Sequence, residues 1–338
     1  MKKISHRYVR KTAAGVVALS MLCAAAIPSV LAMPAGAASA SGDLNGDGSV
    51  TAADVAILQT SLLGGTALTA EQYANADVTG DGAVDGLDLT RLRQMAAVVP
   101  VSDAIAIHLS DSGITVEGDT KGVTAVSGKA VTISASGNYT VDGSITDGQI
   151  LVNIPDTTAD SDAVSLYLQD VTMTSSNGAP CILGQSAKKL KLTCSGENTL
   201  TDTAAEANAD TSGVIYGDCD ITVTKNSTGT LNITSSMNTA IRSKDDIKLN
   251  GGAVVINTDV DDTSDADAIR ANNTLEVDGA SVSITSSADG LKSSKEDVSI
   301  LSGKVSIKVG NDAVQAATAL NISGGTVIAS GDRGFTLD

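Results

Sequence analysis

Leu275-Glu276-Val277-Asp278-Gly279-Ala280-Ser281-Val282-Ser283-Ile284 decides the fold of most of this chain. Aliphatic side chains stand two apart at Leu275 and Val277 and again at Val282 and Ile284, with a glycine between the pairs. Period two marks strands with one buried face, and the five-residue step between pairs leaves room for a tight turn. The same comb starts at Ile247, Val298 and Leu320, each with an aliphatic residue two positions on (Leu249, Ile300, Ile322) and seven positions on (Val254, Val305, Val327). Glycine occupies every turn, at Gly251 and Gly252, Gly279, Gly303, and Gly324 and Gly325.

The four origins are 28, 23 and 22 residues apart, and weaker copies start at Val131, Leu166, Leu190 and Ile221. A unit this short cannot bury its own apolar face, so neighbours must stack. The repeat predicts a mainly β domain over residues 104–338, a right-handed parallel β-helix of about eight rungs. Ser, Thr and Asn ladders are expected between rungs about 4.8 Å apart. A β-sandwich is the alternative, and the constant comb favours the solenoid. The last repeat opens at Gly334-Phe-Thr336, so the reading expects the chain to stop inside a rung.

One column of the rungs carries chemistry. Asp267-Ala-Ile269, Asp289-Gly-Leu291 and Asp312-Ala-Val314 stand eight or nine residues before their origins, and Asp162-Ala-Val164 reads as the same element upstream. Unit charges about 5 Å apart repel by roughly 1 kcal/mol in water and by more near a low-dielectric surface, so stacked carboxylates want a cation. Oxygen-only ligands point to calcium at Asp267, Asp289 and Asp312, with Asp259, Asp261, Asp262 and Asp265 beside them. Arg242, Arg270 and Lys292 follow the aliphatic residue of their rungs and form a basic column. Two readings of it stand: the cations pair with the aspartates, or they and bound calcium together receive the carboxylates of an acidic polysaccharide.

A different signature precedes the repeats. Asp43-Leu-Asn-Gly-Asp-Gly-Ser-Val-Thr-Ala-Ala-Asp54 recurs 34 residues later as Asp77-Val-Thr-Gly-Asp-Gly-Ala-Val-Asp-Gly-Leu-Asp88. Oxygen side chains at loop positions one, three and five point at one hard cation, position nine supplies another, and position twelve closes the shell. The expected calcium ligands are Asp43, Asn45, Asp47, Thr51 and Asp54 in the first loop, and Asp77, Thr79, Asp81, Asp85 and Asp88 in the second. Gly48 and Gly82 at position six serve the sharp bend. Thr79 is a poor ligand, so the second site is expected to be weaker. After each loop an apolar-periodic stretch, Val55–Leu63 and Leu89–Ala97, reads as a helix.

A duplicated loop-then-helix unit with aspartate at position twelve resembles the type I dockerin of cellulosomal proteins, over about residues 43 to 98. The resemblance implies a small all-α module that calcium folds and that docks a helix onto a cohesin domain of a scaffoldin. Positions ten and eleven, where the family carries its recognition pair, are Ala52 and Ala53 in the first copy and Gly86 and Leu87 in the second. They are apolar rather than hydroxylic. More diffusely, residues 104–338 resemble secreted bacterial carbohydrate-binding β-helix proteins related in fold to pectate lyases.

Lys2, Lys3, Arg7, Arg10 and Lys11 precede an apolar run from Ala13 to about Ala32 and small residues ending at Ala38-Ser-Ala40. This reads as a secretory signal over 1–40, followed by the dockerin over 41–99, a linker at 100–103 and the β-helix. No later segment is long and apolar enough to span a membrane. Without the signal, 17 basic residues face 39 acidic ones, a balance that repels nucleic acid and attracts divalent cations. The three remaining cysteines, Cys181, Cys194 and Cys219, form no disulfide framework and are expected to fill buried slots. Beyond the signal there is no Trp, four Tyr and one Phe, so flat aromatic platforms for neutral glucans are not expected.

The sequence therefore predicts a secreted protein of a cell-surface, cellulosome-like complex, without catalytic activity, that binds plant cell-wall polysaccharide of acidic, pectic type. The alternative is a calcium-dependent pectate lyase, with Arg242, Arg270 or Lys292 as base. A structural adhesin stalk is a third reading. No acid–base constellation stands out, which favours binding.

Overall fold

The computed structural model describes residues 42–46, 50, 52–96, 104–206, 208, 210–258 and 267–337. The expected signal, the expected linker, Asp47, Thr51, Asp259, Asp261, Asp262 and Asp265 lie outside the described residues.

Residues 42–96 hold three short helices, α1 (Ala52–Leu62), α2 (Ala70–Ala76) and α3 (Gly86–Ala96). The first and third are the expected ones. Both begin inside the loop motifs, so each loop's position twelve lies in a helix's first turn. The second has a signature that the apolar periodicity missed: Thr69 accepts a hydrogen bond from the Gln72 N–H, and the Gln72 side chain accepts one from the Thr69 N–H. That reciprocal pair satisfies two otherwise unpaired donors and starts a helix too short to hold by itself. Leu44, Leu58, Ala76 and Leu92 form the core, flanked by Val50, Val55, Val78, Val84 and Leu89. Leu58 and Leu92 stand 34 residues apart, as do Val50 and Val84, so the duplication of the loops extends to the packing.

From residue 105 on, every pairing between repeats is parallel. Two antiparallel pairs occur among the described residues, Ile105–Ser110 with Gly113–Glu117 and Thr124–Ser127 with Ala130–Ile133. Each ends one of the two sheets. Parallel ladders rule out the sandwich, whose sheets are antiparallel. A full repeat gives three strand segments. Ile269–Ala271 pairs with Leu291–Ser293 on a first face, Leu275–Val277 pairs with Val298–Ile300 on a second, and Ser281–Ser286 pairs with Lys304–Val309 on a third. The sequence comb saw the second and third. A three-residue strand with one inward aliphatic flanked by small residues carries no visible period.

Register follows the comb: Leu190, Ile221, Ile247, Leu275, Val298 and Leu320 are successive partners. Two weaker origins are corrected. Val131 belongs to the first face, where it pairs with Ile150, and the partner of Leu190 is Val164 rather than Leu166. Asp162 is corrected with them, because Val164 lies on the second face and Asp162 cannot join the Asp267 column. An alternating apolar pair fits either face when nothing else distinguishes them. The glycine turns hold because repeats approach there: Gly303 has φ +96°, and a Cβ would stand 2.3 Å from the Ala280 carbonyl oxygen. Inward aliphatic residues from all three faces form one core, in which the free Cys181, Cys194 and Cys219 are buried. The expected hydroxyl ladder runs inside, through Ser235, Thr258 and Ser286 in register, with the Thr258 hydroxyl donating to Ser286 at 2.7 Å.

Candidate functional site

Two groups of aspartates are held in opposite ways. In the second loop the backbone does the holding. Asp77 Oδ1 accepts from the N–H of Gly80 and Asp81 at 2.8 and 3.1 Å, and Oδ2 from the N–H of Gly82 at 2.9 Å. Asp88 is fully buried; Oδ1 accepts from the N–H and hydroxyl of Thr79, and Oδ2 from the N–H of Asp85. Glycines at φ +72° (Gly80) and +84° (Gly82) let the chain curl around those acceptors. Oxygens of Asp77, Asp81 and Asp88 come within 4.8 Å of one another. Burial pushes Asp88 up, but the donors from Asp85 and Thr79 outweigh it and hold the group below the ordinary carboxylate value. Three charged oxygen ligands converging in a tight loop fit a hard divalent cation.

Asp85 is not one of the three, and Thr79 meets them through Asp88. Asp85 Oδ1 accepts from the Leu87 N–H at 2.7 Å, and the Thr79 hydroxyl is spent on Asp88. In the first loop Asp54 Oδ1 accepts from the N–H of Leu44 and Asn45, as Asp88 does from Thr79, and Asp43 Oδ1 accepts from the Gly46 N–H. Helix α2 braces this loop: Gln72 Nε2 donates to the Leu44 carbonyl at 2.8 Å and Asn75 Nδ2 to the Asp43 carbonyl at 3.0 Å. Of the expected recognition pairs, Leu87 is 63% exposed and Gly86 is exposed beside it. Ala52 and Ala53 open α1, and their side chains lie outside the described residues.

On the first face of the stack Asp267, Asp289 and Asp312 do fall in one column, two residues before the register partners Ile269, Leu291 and Val314. They are buried, at 2%, 7% and 1% exposure. Arg242, Arg270, Lys292 and Gln315 form the adjacent outward column, on successive paired strands. Lys292 Nζ donates to Asp289 Oδ2 at 2.8 Å and lies 3.7 Å from Asp267 Oδ1. Arg270 is 3.6 Å from Asp267, and Arg333 Nε is 2.7 Å from Asp312 Oδ1. Arg270, Lys292 and Arg333 thus each pair with an aspartate of the column. Among the described residues these three carboxylates do not converge as Asp77, Asp81 and Asp88 do.

Burial pushes Asp267 up to about 7; Lys292 and Arg270 oppose the rise and Asp289 adds to it. Burial favours the neutral amine of Lys292, but Asp267 and Asp289 outweigh it and hold Lys292 above the ordinary lysine value. A lysine held charged in this way is no general base near neutral pH. Sequence reasoning missed Arg333 and Thr239. Aligning Thr239-Ala-Ile-Arg242, Asp267-Ala-Ile-Arg270 and Arg333-Gly-Phe-Thr336 by their aliphatic residue would have put both in the aspartate slot.

Parallel stacked repeats with a paired acidic-loop module define the class: a modular β protein with a duplicated acidic-loop domain. The type I dockerin profile matches residues 41–95, and the profile described as carbohydrate-binding domain-containing protein matches residues 127–335. The chain belongs to that carbohydrate-binding-domain family and carries a type I dockerin domain. A protein of Acetivibrio thermocellus with the same description is 33% identical over 138 residues, 39% of this chain and 46% of that protein. The chain thus spans about half the length of that curated relative. A solved structure, the gadolinium derivative of the polysaccharide lyase-like protein from C. thermocellum, is 20% identical with TM-score 0.48, covering 70% of this chain and 97% of that one. Among the described residues no helix is long and apolar enough to cross a membrane.

Proposed function

We propose that this chain is a secreted, non-catalytic component of a cellulosome-like assembly that holds acidic plant cell-wall polysaccharide on its β-stack. In this reading residues 1–40 are a cleaved signal, 41–99 the dockerin, 100–103 a linker, and 104–338 a right-handed parallel β-helix. The dockerin loops hold calcium through Asp43, Asn45, Asp47, Thr51 and Asp54 and through Asp77, Thr79, Asp81, Asp85 and Asp88. The ion supplies the positive charge around which each loop closes. A scaffoldin cohesin then docks against the surface that includes Ala52, Ala53, Gly86 and Leu87.

The observation that carries the binding reading is the basic row Arg242, Arg270, Lys292, in register on adjacent outward strands of an otherwise acidic chain. Charge and hydrogen bonding, not aromatic stacking, would recognise the polymer. The charged state of Lys292 supports binding over elimination chemistry. Affinity electrophoresis in gels containing polygalacturonate tests this, with absorbance of unsaturated products followed in parallel. Retardation without product is the expected result; product release would make the protein a lyase, and no retardation would end the acidic-polymer reading. Binding to a panel of immobilised cohesins, with calcium and with chelator, tests the docking half.

A further inference from the structure

The first face repeats a four-residue slot: Thr239-Ala-Ile-Arg242, Asp267-Ala-Ile-Arg270, Asp289-Gly-Leu-Lys292, Asp312-Ala-Val-Gln315 and Arg333-Gly-Phe-Thr336, on adjacent strands. In the second and third slots the base folds back onto the aspartate three residues before it. In the fourth, Gln315 replaces the base and Arg333 of the next slot pairs with Asp312. Every aspartate of the column therefore has its cation. Arg242 has no aspartate. Its slot partner is Thr239, and Arg242 makes no ion pair among the described residues. The Thr239 hydroxyl is fully buried, yet among the described residues it has no hydrogen-bond partner. A buried hydroxyl left unpaired is costly, and a guanidinium in the same slot with no counter-charge among the described residues is a ready donor fork. Gly213 stands in the preceding slot, where a Cβ would crowd the Cβ atoms of Arg242 and Tyr216 at 3.3 Å.

We propose that Arg242 and Thr239 form a carboxylate-binding subsite that takes one uronate carboxylate of an acidic polysaccharide. The ligand supplies from outside the charge that Asp267 and Asp289 supply to Arg270 and Lys292 from within. The guanidinium donates to both carboxylate oxygens, and Thr239 leaves the slot without the internal carboxylate that fills it elsewhere. This rests on the reading of the stack as an acidic-polysaccharide binder and says where its selectivity resides.

The test compares the full chain with Arg242→Ala, Thr239→Asp and Lys248→Ala, against polygalacturonate and its fully methyl-esterified form. Lys248→Ala removes the same charge from the second face, where Lys248 pairs in register with Glu276. The unaltered chain should prefer the free acid. Arg242→Ala should weaken binding to the acid roughly tenfold, leave the ester unaffected, and so erase the preference. Thr239→Asp, which gives Arg242 the internal partner that other slots have, should erase it too while melting no lower than the unaltered chain. Lys248→Ala should keep it. Binding to neither polymer would overturn the acidic-polysaccharide reading and the subsite with it. A preference that survives both Arg242→Ala and Thr239→Asp, or equal binding of acid and ester by the unaltered chain, would overturn the subsite alone.

Discussion

Asp88 in the second loop and Asp267 in the stack are equally hidden from solvent, at 0% and 2% exposure, yet their chemistry diverges. Asp88 is surrounded by N–H and O–H donors, which stabilise its charge without cancelling it, and its titration is displaced downward. Two further carboxylates, of Asp77 and Asp81, come within 4.8 Å, so the loop concentrates negative charge in a shape that fits a divalent cation. Asp267 meets Arg270 and Lys292 instead, its charge is answered inside the chain, and its titration is displaced upward to about 7. Burial alone does not decide what an aspartate does. At Asp88 the donors outweigh burial, whereas at Asp267 burial outweighs Lys292 and Arg270.

Chelation should separate the two regions most widely. Among the described residues of 42–96 four apolar side chains are fully buried, a core small enough that calcium is expected to contribute folding free energy. Adding chelator to the full chain should abolish the helical circular dichroism and leave the β signal and its thermal transition in place. Helicity that survives would remove the distinction. Next in size is Lys292→Met, which leaves Asp267 and Asp289 short of a buried cation. It should cost about 3–5 kcal/mol in urea unfolding of the stack, with part recovered by adding Asp289→Asn.

Acidity should sharpen the contrast further. Asp267 moves from 3.8 when unfolded to about 7 when folded, so between about pH 4 and 7 the folded chain keeps a proton that the unfolded chain has lost. Stack stability should fall as pH rises through that window, by on the order of a few kcal/mol, and level off above it. Asp267→Asn should flatten the profile. Asp88 acts in the opposite sense: its stabilisation is present above 3.8 and is lost as pH falls below it, the range in which Asp119 of the stack, held down to about 2, loses its own. The smallest effect expected is from Thr79→Asp. It adds a charged oxygen at position three of the second loop and should tighten calcium there by about tenfold or less, measured by calorimetric titration.

The parts of this molecule legible in the sequence are those with a period or a spacing. Leu190 to Leu320 could be aligned because two strands per repeat alternate cleanly around a glycine, and the loops because ligand spacing is a geometric demand of one cation. The first face was invisible as strand, since Ile241-Arg-Ser243 and Ile269-Arg-Ala271 carry one inward aliphatic residue each. The hairpins that end the two sheets, beginning at Ile105 and Thr124, break the repeat and pulled Val131 onto the wrong face. The aspartate column was legible in position but not in charge balance. That balance depends on Arg333 reaching back to Asp312 across a strand, which sequence separation conceals.

The strand Ile105–Ser110 has a mechanical meaning. It is the point at which tension from a tethered dockerin would enter the stack. Five registered residue pairs hold it to Gly113–Glu117 on one side and five to the strand Gly137–Thr146 on the other. A pull arriving at Ala104 meets a strand clamped along its length rather than a free edge that can be peeled one bond at a time. The stack should therefore yield to such a pull later than one whose first strand lay at a sheet edge.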